Sequence, residues 1–204
     1  MKTSVDVVVC VHNAIDDVRR CLATVERTAY PSFKLILIDD GSDPETAAFL
    51  REVAGARDNV LLIRRDEAAG YTVAANTGIR ESSGGIVVLL NSDTITSASW
   101  LTRLVRDEMD AVAEATSRAI PVIPRVPLLN GFCYAIRREV IDTIGAFDEA
   151  SFPRGFGEED DYTLRAADAG FGVALAMDAN VYHAKSKSYG NETRKQLSFE
   201  GQKQ

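Results

Sequence analysis

Residues 35–42 read Leu-Ile-Leu-Ile-Asp-Asp-Gly-Ser, a short apolar run that ends in two acids and a glycine. Such a run predicts a buried strand, and the turn-forming residues mark where the strand ends. Similar apolar runs occupy residues 5–11, 60–63 and 86–90, and segments with apolar residues at helical spacing separate them. This alternation predicts an α/β fold with a doubly wound, mostly parallel sheet.

The second half of the chain follows a different pattern. The sequence predicts a proline-containing connector over residues 118–128, a strand over 128–136 and a short helix over 138–144. A second helix is predicted from about residue 158 to residue 169, after a glycine-rich loop. A last strand or extended piece is predicted over residues 172–177.

The composition limits the classes of protein to be considered. The chain has 204 residues, 46% of them apolar and 26% charged, with a formal net charge of −7. These values are typical of a globular domain, and the acidic balance disfavours nucleic acid as a partner. No stretch approaches the roughly 18 apolar residues that a transmembrane helix needs, so we expect no transmembrane segment. Three cysteines in apolar segments and the absence of a signal-peptide pattern favour a cytoplasmic location.

Polar side chains follow three of the predicted strands. They are His12, Asn13, Asp39, Asp40, Asn91, Ser92 and Asp93. In an open parallel sheet, ligands bind beyond the carboxyl ends of the strands, so these side chains are candidates for one site. Carboxylates at such a site suit Mg²⁺ or Mn²⁺, whose remaining positions are filled by water and substrate phosphates. For any single acid, a solvated turn residue is the alternative.

Other classes of phosphate-binding protein fit less well. The chain has no G-x-x-x-x-G-K-[ST] motif, and no G-x-G-x-x-G follows the first strand. Residues 89–94 superficially resemble the D-x-D-x-T motif of phosphotransfer hydrolases. However, Asn91 stands at the position of the nucleophilic acid, and an amide cannot form an acyl-phosphate.

Eight segments, in this order, resemble those of the inverting glycosyltransferases of family 2, which have a GT-A fold. They are residues 9–13, 37–42, 70–78, 89–93, 131–138, 144–149, 155–165 and 181–183. The resemblance implies a single GT-A domain over residues 1–190. Its Rossmann-like nucleotide-sugar-binding half covers residues 1–98 and its acceptor half residues 99–190, followed by a polar tail over 191–204.

The resemblance also implies a ligand set. A nucleoside-diphosphate sugar, UDP- or dTDP-linked, would bind beside His12, Asn13, Asp39, Asp40, Asn76, Asn91 and Ser92. Asp93 and His183 would hold Mg²⁺ or Mn²⁺. Asp93 is the main carboxylate of this set, because Asn91 replaces the first acid of the D-x-D metal motif.

The catalytic segment in this family corresponds to GFGEEDDYTLR at residues 155–165. Counting back from Arg165 places the general base at Glu159, with Glu158 and Asp161 as further catalytic candidates, while Arg165 would pair with a neighbouring acid. A helix N-terminus that is rich in acids is the alternative interpretation, because acids there complement the helix dipole.

The implied function is metal-dependent, inverting transfer of a sugar to a hydroxyl group of a carbohydrate or lipid-linked acceptor, in glycan or polysaccharide synthesis. The alternative is a nucleotide-sugar-binding module of the same fold with little or no transfer activity. Asn91 and the short stretch between residues 93 and 130 favour that alternative. Basic residues after residue 184 are compatible with a peripheral contact to an anionic membrane surface. The alternative interpretation is a solvated tail. The sequence leaves the donor sugar, the acceptor and the oligomeric state open.

Overall fold

The computed structural model describes residues 3–106 and 125–184. Its first half alternates strands and helices as predicted. The elements in chain order are β1 (Val5–Val11), α1 (Ile15–Val25), β2 (Phe33–Asp40), α2 (Pro44–Gly55), β3 (Val60–Arg65), α3 (Tyr71–Glu81), β4 (Ile86–Asn91), β5 (Thr94–Thr96), α4 (Trp100–Leu104), β6 (Cys133–Arg137), α5 (Arg138–Ile144), α6 (Glu158–Asp168) and β7 (Val181–His183).

The central sheet has five strands in the order β3-β2-β1-β4-β6. The first four are parallel, and β6 runs antiparallel to β4 at the edge. The prediction of a mostly parallel, doubly wound sheet is therefore confirmed. Because Cys10 lies opposite both Ile38 and Asn91, the carboxyl ends of β1, β2 and β4 meet at one edge of the sheet.

Both faces of the sheet are covered, which explains why its strands are apolar throughout. Val5, Val7 and Val9 of β1 pack with α1, α2 and α4 on one face, where Trp100 is fully buried. Val8 packs with α3 and α6 on the other face. The two faces together hold the edge of strand ends rigidly in place.

A two-stranded antiparallel ribbon, formed by β5 and β7, lies apart from the main sheet. Thr94 pairs with His183, and Thr96 with Val181. The sequence pattern did not predict β5, because three residues give too short a pattern to identify a strand. The ribbon brings the last described residues back to the end of β4.

Two predicted elements in the second half differ in extent from the structure. Over residues 172–177, where a strand or an extended piece was predicted, the structure has a single bridge between Ala174 and Arg125 and no strand. Leu175 and Met177 are exposed, so their apolar character does not reflect a buried strand. The strand predicted from residue 128 begins only at Cys133, where pairing with Leu90 starts.

The remaining predictions differ in outcome. The helices predicted over residues 138–144 and 158–169 are confirmed as α5 and α6. All three cysteines are free thiols, as predicted. Most of the predicted connector over residues 118–128 and the whole polar tail over 191–204 lie outside the described residues. Within residues 3–106 and 125–184, no helix combines the length and the apolar character needed to span a bilayer.

Candidate active site

The acids at the end of β2 are buried and hold two loops in place. Ser42 N–H donates to Oδ1 of Asp39 at 3.0 Å, and the guanidinium of Arg64 pairs with Oδ2 of Asp39. The carboxylate of Asp40 accepts the backbone N–H groups of Ala69 and Gly70, each at 2.9 Å. Asp39 therefore stabilises the β2–α2 loop, and Asp40 stabilises the β3–α3 loop. Together they shape the edge of the sheet where a ligand is expected.

His12 and Asn13 connect the end of β1 to the same loops. His12 Nδ1 lies 2.7 Å from the carbonyl oxygen of Asp40. Because a carbonyl oxygen only accepts, we assign the ring proton to Nδ1, and Nε2 then accepts from Asn13 Nδ2 at 3.2 Å. Asn13 Oδ1 accepts the N–H of Asp43 at 2.7 Å. The structure thus brings His12, Asn13 and Asp40 together, as the sequence predicted.

The candidate metal ligands also meet. His183 Nε2 lies 3.2 Å from Asp93 Oδ1, and the His183 side chain is 20% exposed. Ala184 N–H donates to the carbonyl oxygen of Asp93 at 3.0 Å, which continues the β5–β7 ribbon. The ring of Phe132 stacks on the imidazole of His183, with centroids 5.0 Å apart and an 8° angle between the planes. This stacking fixes the orientation of the imidazole.

Asn91 and Ser92 lie half-buried between β4 and this ribbon. The N–H of Asn91 donates to the carbonyl oxygen of Phe132 at 2.9 Å, and the carbonyl oxygen of Asn91 accepts from Thr94 Oγ1 at 2.8 Å. The backbone of the turn is therefore held on both sides. This leaves Asp93 in a defined position next to His183.

Glu158 begins α6 and is 4% exposed. Its Oε2 atom has no hydrogen-bond partner. Burial and, to a smaller extent, the charge of Glu159 together raise the pKa of Glu158 to about 8. Burial and Glu159 also raise the pKa of Asp160. The first turn of α6 is thus a place where negative charge is unfavourable.

Glu159 lies against the segment that precedes β6. A Cβ atom added to Gly131 would come within 3.4 Å of Oε1 and Cδ of Glu159. Gly131 is followed directly by Phe132, whose ring stacks on His183. The consecutive residues Gly131 and Phe132 therefore contact the candidate base and one candidate metal ligand, respectively.

Asn76 makes hydrogen bonds within the protein, while its predicted nucleotide contact stays a prediction. Asn76 is buried, and its Nδ2 donates to the carbonyl oxygen of Phe147 and to Oε1 of Glu149, both at 2.9 Å. Its Oδ1 accepts the N–H of Phe147 at 3.0 Å. Because both amide hydrogens and the oxygen are engaged, Asn76 joins α3 to the segment between α5 and α6.

Asp161 likewise does not join Glu158 and Glu159 in one group. Arg165 Nε donates to Asp161 Oδ2 at 2.8 Å, the pairing that was predicted for Arg165. Arg165 also donates to the carbonyl oxygens of Ile144 and Ala146. Asp161 therefore helps to hold the end of α5 against α6, and its catalytic role stays a prediction.

Sequence reasoning missed Phe132 and Tyr71. Tyr71 is the first residue of α3, and its ring packs in the core face that contains Val8. Burial raises the pKa of Tyr71 well above 10, and the charges of Glu158 and Glu159 add to this effect. The only available signal was that Tyr71 and Phe132 lie in segments of the family resemblance. Neither the residue types nor the spacing indicated a contact with the site.

The arrangement offers a small set of metal ligands. Within residues 3–106 and 125–184, no three His, Cys, Asp or Glu side chains are grouped to hold a metal ion. Asp93 and His183 form a set of two. Two protein ligands, completed by diphosphate oxygens and water, fit the way in which Mg²⁺ and similar cations bind at phosphate-transfer sites.

The sheet order and the acids at the strand ends define an α/β protein of the GT-A type. Residues 6–111, more than half of the chain, match the family model described as Glycosyl transferase family 2. The chain therefore belongs to glycosyl transferase family 2 and is a glycosyltransferase. The match also decides against the phosphotransfer hydrolase considered above.

Similar proteins agree with this assignment. Glycosyltransferase AglE of Haloferax volcanii is 26% identical over 218 residues, which cover 95% of this chain and 70% of that protein. The structure of mannosyltransferase PcManGT from Pyrobaculum calidifontis, in complex with GDP-Man and Mn²⁺, matches with a TM-score of 0.70 and 21% identity, covering 92% of this chain and 58% of that one. S. aureus TarS in complex with UDP-GlcNAc matches with a TM-score of 0.64 and 17% identity, covering 97% and 66%. These structures show that the fold is shared.

Proposed function

We propose that this chain is a metal-dependent, inverting glycosyltransferase that uses a nucleoside-diphosphate sugar as donor. The acceptor is a hydroxyl group of a carbohydrate or a lipid-linked sugar. One observation carries the proposal: Glu159 lies against Gly131, and His183 of the Asp93–His183 pair stacks on the next residue, Phe132. This arrangement supports a base for the acceptor near a site for the leaving diphosphate.

The nucleotide would bind at the edge formed by the ends of β1, β2 and β4, where ligands bind in open parallel sheets. Each carboxylate oxygen of Asp40 accepts one backbone N–H and keeps a second lone pair. That lone pair can accept from a nucleobase N–H or a ribose hydroxyl. UDP, dTDP and GDP are all candidates. PcManGT and TarS, which were crystallised with GDP-Man and UDP-GlcNAc, support the class of donor but not one nucleotide.

The metal would be held by Asp93 and His183. A carboxylate and an imidazole are both established ligands of divalent cations, and Phe132 orients the imidazole by stacking. When bound, the ion would neutralise the charge that develops on the leaving diphosphate. PcManGT was crystallised with Mn²⁺, which supports Mn²⁺ as the first ion to test.

Glu159 would act as the general base. It accepts the proton of the acceptor hydroxyl while the hydroxyl oxygen attacks the anomeric carbon of the donor. The bond from that carbon to the phosphate oxygen breaks on the opposite side, so the configuration inverts. The close approach of Glu159 to Gly131 supports this role, because it places the carboxylate beside the segment that carries Phe132.

Calorimetric titration with UDP, dTDP and GDP, each with and without Mn²⁺, tests the donor half of the proposal. We expect one nucleotide to bind, and Mn²⁺ to strengthen its binding. Asp93→Ala should abolish the Mn²⁺ effect, whereas Asp142→Ala, which removes an exposed acid on α5, should leave it unchanged. Failure of the folded protein to bind any of the three nucleotides would overturn the proposal.

A nucleotide-sugar-binding module of the same fold is the second candidate. It is favoured by Asn91 in place of an acid and by the absence, within residues 3–106 and 125–184, of a third side chain grouped with Asp93 and His183. Glu159→Gln separates the two candidates once a donor is known. In an enzyme, this variant should lose transfer or donor hydrolysis and keep donor binding. In a binding module, neither property should change.

A further inference from the structure

Glu158 and Glu159 are consecutive residues in the first turn of α6, and burial together with the charge of Glu159 raises the pKa of Glu158. Glu158 is 4% exposed, and its Oε2 has no hydrogen-bond partner. Glu159 is only half-buried and reaches Gly131. The two neighbours in sequence therefore differ in environment: one is enclosed by protein, and the other faces the proposed acceptor site.

The groups that face Glu158 make a negative charge on its carboxyl group unfavourable when Glu159 is already charged. On its own helix these are Glu159 and Asp160, and on α3 it is Tyr71. Tyr71 also faces Cys10 of β1 and Cys133 of β6, two half-buried residues whose thiol pKa is raised by burial. Two neighbouring carboxylates in such surroundings repel each other strongly, so one of them retains its proton. The more deeply buried member, Glu158, is the one that does so.

We propose that Glu158 is a positioning residue that keeps its proton and donates it in a hydrogen bond to the carboxylate of Glu159. The proposal rests on the proposed role of Glu159 as general base. The hydrogen bond would hold the Glu159 carboxylate beside Gly131 and would leave one net negative charge at the acceptor side. The proton of Glu158 stays in place during transfer, since the acceptor's proton goes to Glu159.

NMR of the whole chain, with ¹³C-labelled glutamate δ-carbons, tests this pair without any substrate. The expected result is one δ-carbon resonance that titrates near pH 8, far above the other glutamates. Glu158→Gln should remove this resonance. Glu159→Gln should move its midpoint to lower pH, because the neighbouring charge is gone. Glu139→Gln, at an exposed site on α5, should leave the midpoint unchanged.

Two results would overturn the proposal. One is a wild-type spectrum in which every glutamate titrates in the ordinary acidic range. The other is a midpoint for Glu158 that Glu159→Gln does not move, which would show that the two groups are not paired. Neither result depends on nucleotide binding, so a failure here is distinguishable from a failure of the proposed function.

Activity gives a second readout with the nucleotide sugar whose nucleotide binds in the calorimetric panel. Glutamine has the shape of a protonated glutamate and donates a hydrogen bond at every pH. Turnover by the wild type should decline above pH 8, where Glu158 loses its proton. Glu158→Gln should lack this decline and should retain more donor turnover at pH 7 than Glu158→Leu. Glu158→Leu should lower kcat by more than about tenfold, with little change in KM, because a misplaced base slows the chemical step. Equal loss of kcat in the two variants would contradict the positioning role.

Discussion

The imidazole Nε2 of His183 lies 3.2 Å from Oδ1 of Asp93, and this contact joins the last described strand to the end of β4. Thr94, next to Asp93, is paired with His183 in the β5–β7 ribbon. The ribbon thus explains how residues that are distant in sequence share one site. It also defines which substitutions should affect the proposed metal and which should not.

His183→Ala should weaken nucleotide binding in the presence of Mn²⁺ and leave binding without metal unchanged. Mutation of residues that only support a metal ligand lowers metal affinity by about 10- to 100-fold, so loss of a ligand should have at least this effect. Calorimetric titration measures both values. Tyr182→Ala alters the exposed neighbour on the same strand and serves as the control. Equal Mn²⁺ dependence in His183→Ala and the wild type would exclude His183 as a ligand.

The free energy of unfolding should fall as the pH rises from 4.5 to about 8, because folded Glu158 binds a proton that the unfolded chain has released. The stabilisation is complete below the unfolded pKa of 4.5 and is lost as the pH rises through the folded value. In this window the slope is up to about 1.4 kcal/mol per pH unit. Urea unfolding of the wild type and of Glu158→Gln at several pH values isolates this contribution. Parallel curves for the two proteins would show that Glu158 is not protonated in the folded state.

Gly70→Ala should destabilise the protein. Gly70 has φ of 103°, and a Cβ atom there would lie 2.5 Å from the carbonyl oxygen of Pro153. Backbone strain of this kind alone costs about 1–3 kcal/mol, and the steric clash adds to it. Gly55→Ala, at the end of α2 where nothing lies within 4 Å, is the matched control and should be neutral or stabilising. Urea unfolding of both variants provides the test, and a neutral Gly70→Ala would contradict this close packing.

Asn76→Ala should also destabilise the protein, because it leaves the N–H and carbonyl groups of Phe147 without their partners. A buried unsatisfied polar group costs about 1–3 kcal/mol. Asn59→Ala removes an exposed hydrogen bond to the carbonyl oxygen of Phe33 and should cost less. Nucleotide affinity should be unchanged in Asn76→Ala if the role of Asn76 is to join α3 to the segment before α6. A selective loss of nucleotide binding, with normal stability, would instead support the role that its sequence position suggested.

The sequence sufficed to predict the first half of the fold because β1, β2 and β4 are buried on both faces. Their apolar runs end in polar residues, and the register of the paired strands places those ends side by side at one edge of the sheet. The contacts of that edge could not be predicted in the same way. Asp39 and Asp40 are acids at strand ends, yet their carboxylates are engaged by Arg64 and by the N–H groups of Ala69 and Gly70.

The second half was harder because its contacts are made across long sequence separations by short elements. β5 and β7 have three residues each, too few for a recognisable pattern. The approach of Glu159 to Gly131 and the stacking of Phe132 on His183 depend on tertiary packing alone. The start of α6 at its acidic first turn was predicted correctly. The sequence did not indicate that Glu158 is buried, whereas Asp161 pairs with Arg165.

The pairing of β5 with β7 has a consequence for the order in which the protein forms during synthesis. The strands β1 to β4 have emerged once residue 91 has left the ribosome, whereas β6, the edge strand of the same sheet, ends at Arg137. His183 emerges after all other residues of the proposed site. Because a domain generally folds as a unit, the proposed metal site can form only after residue 183 has emerged.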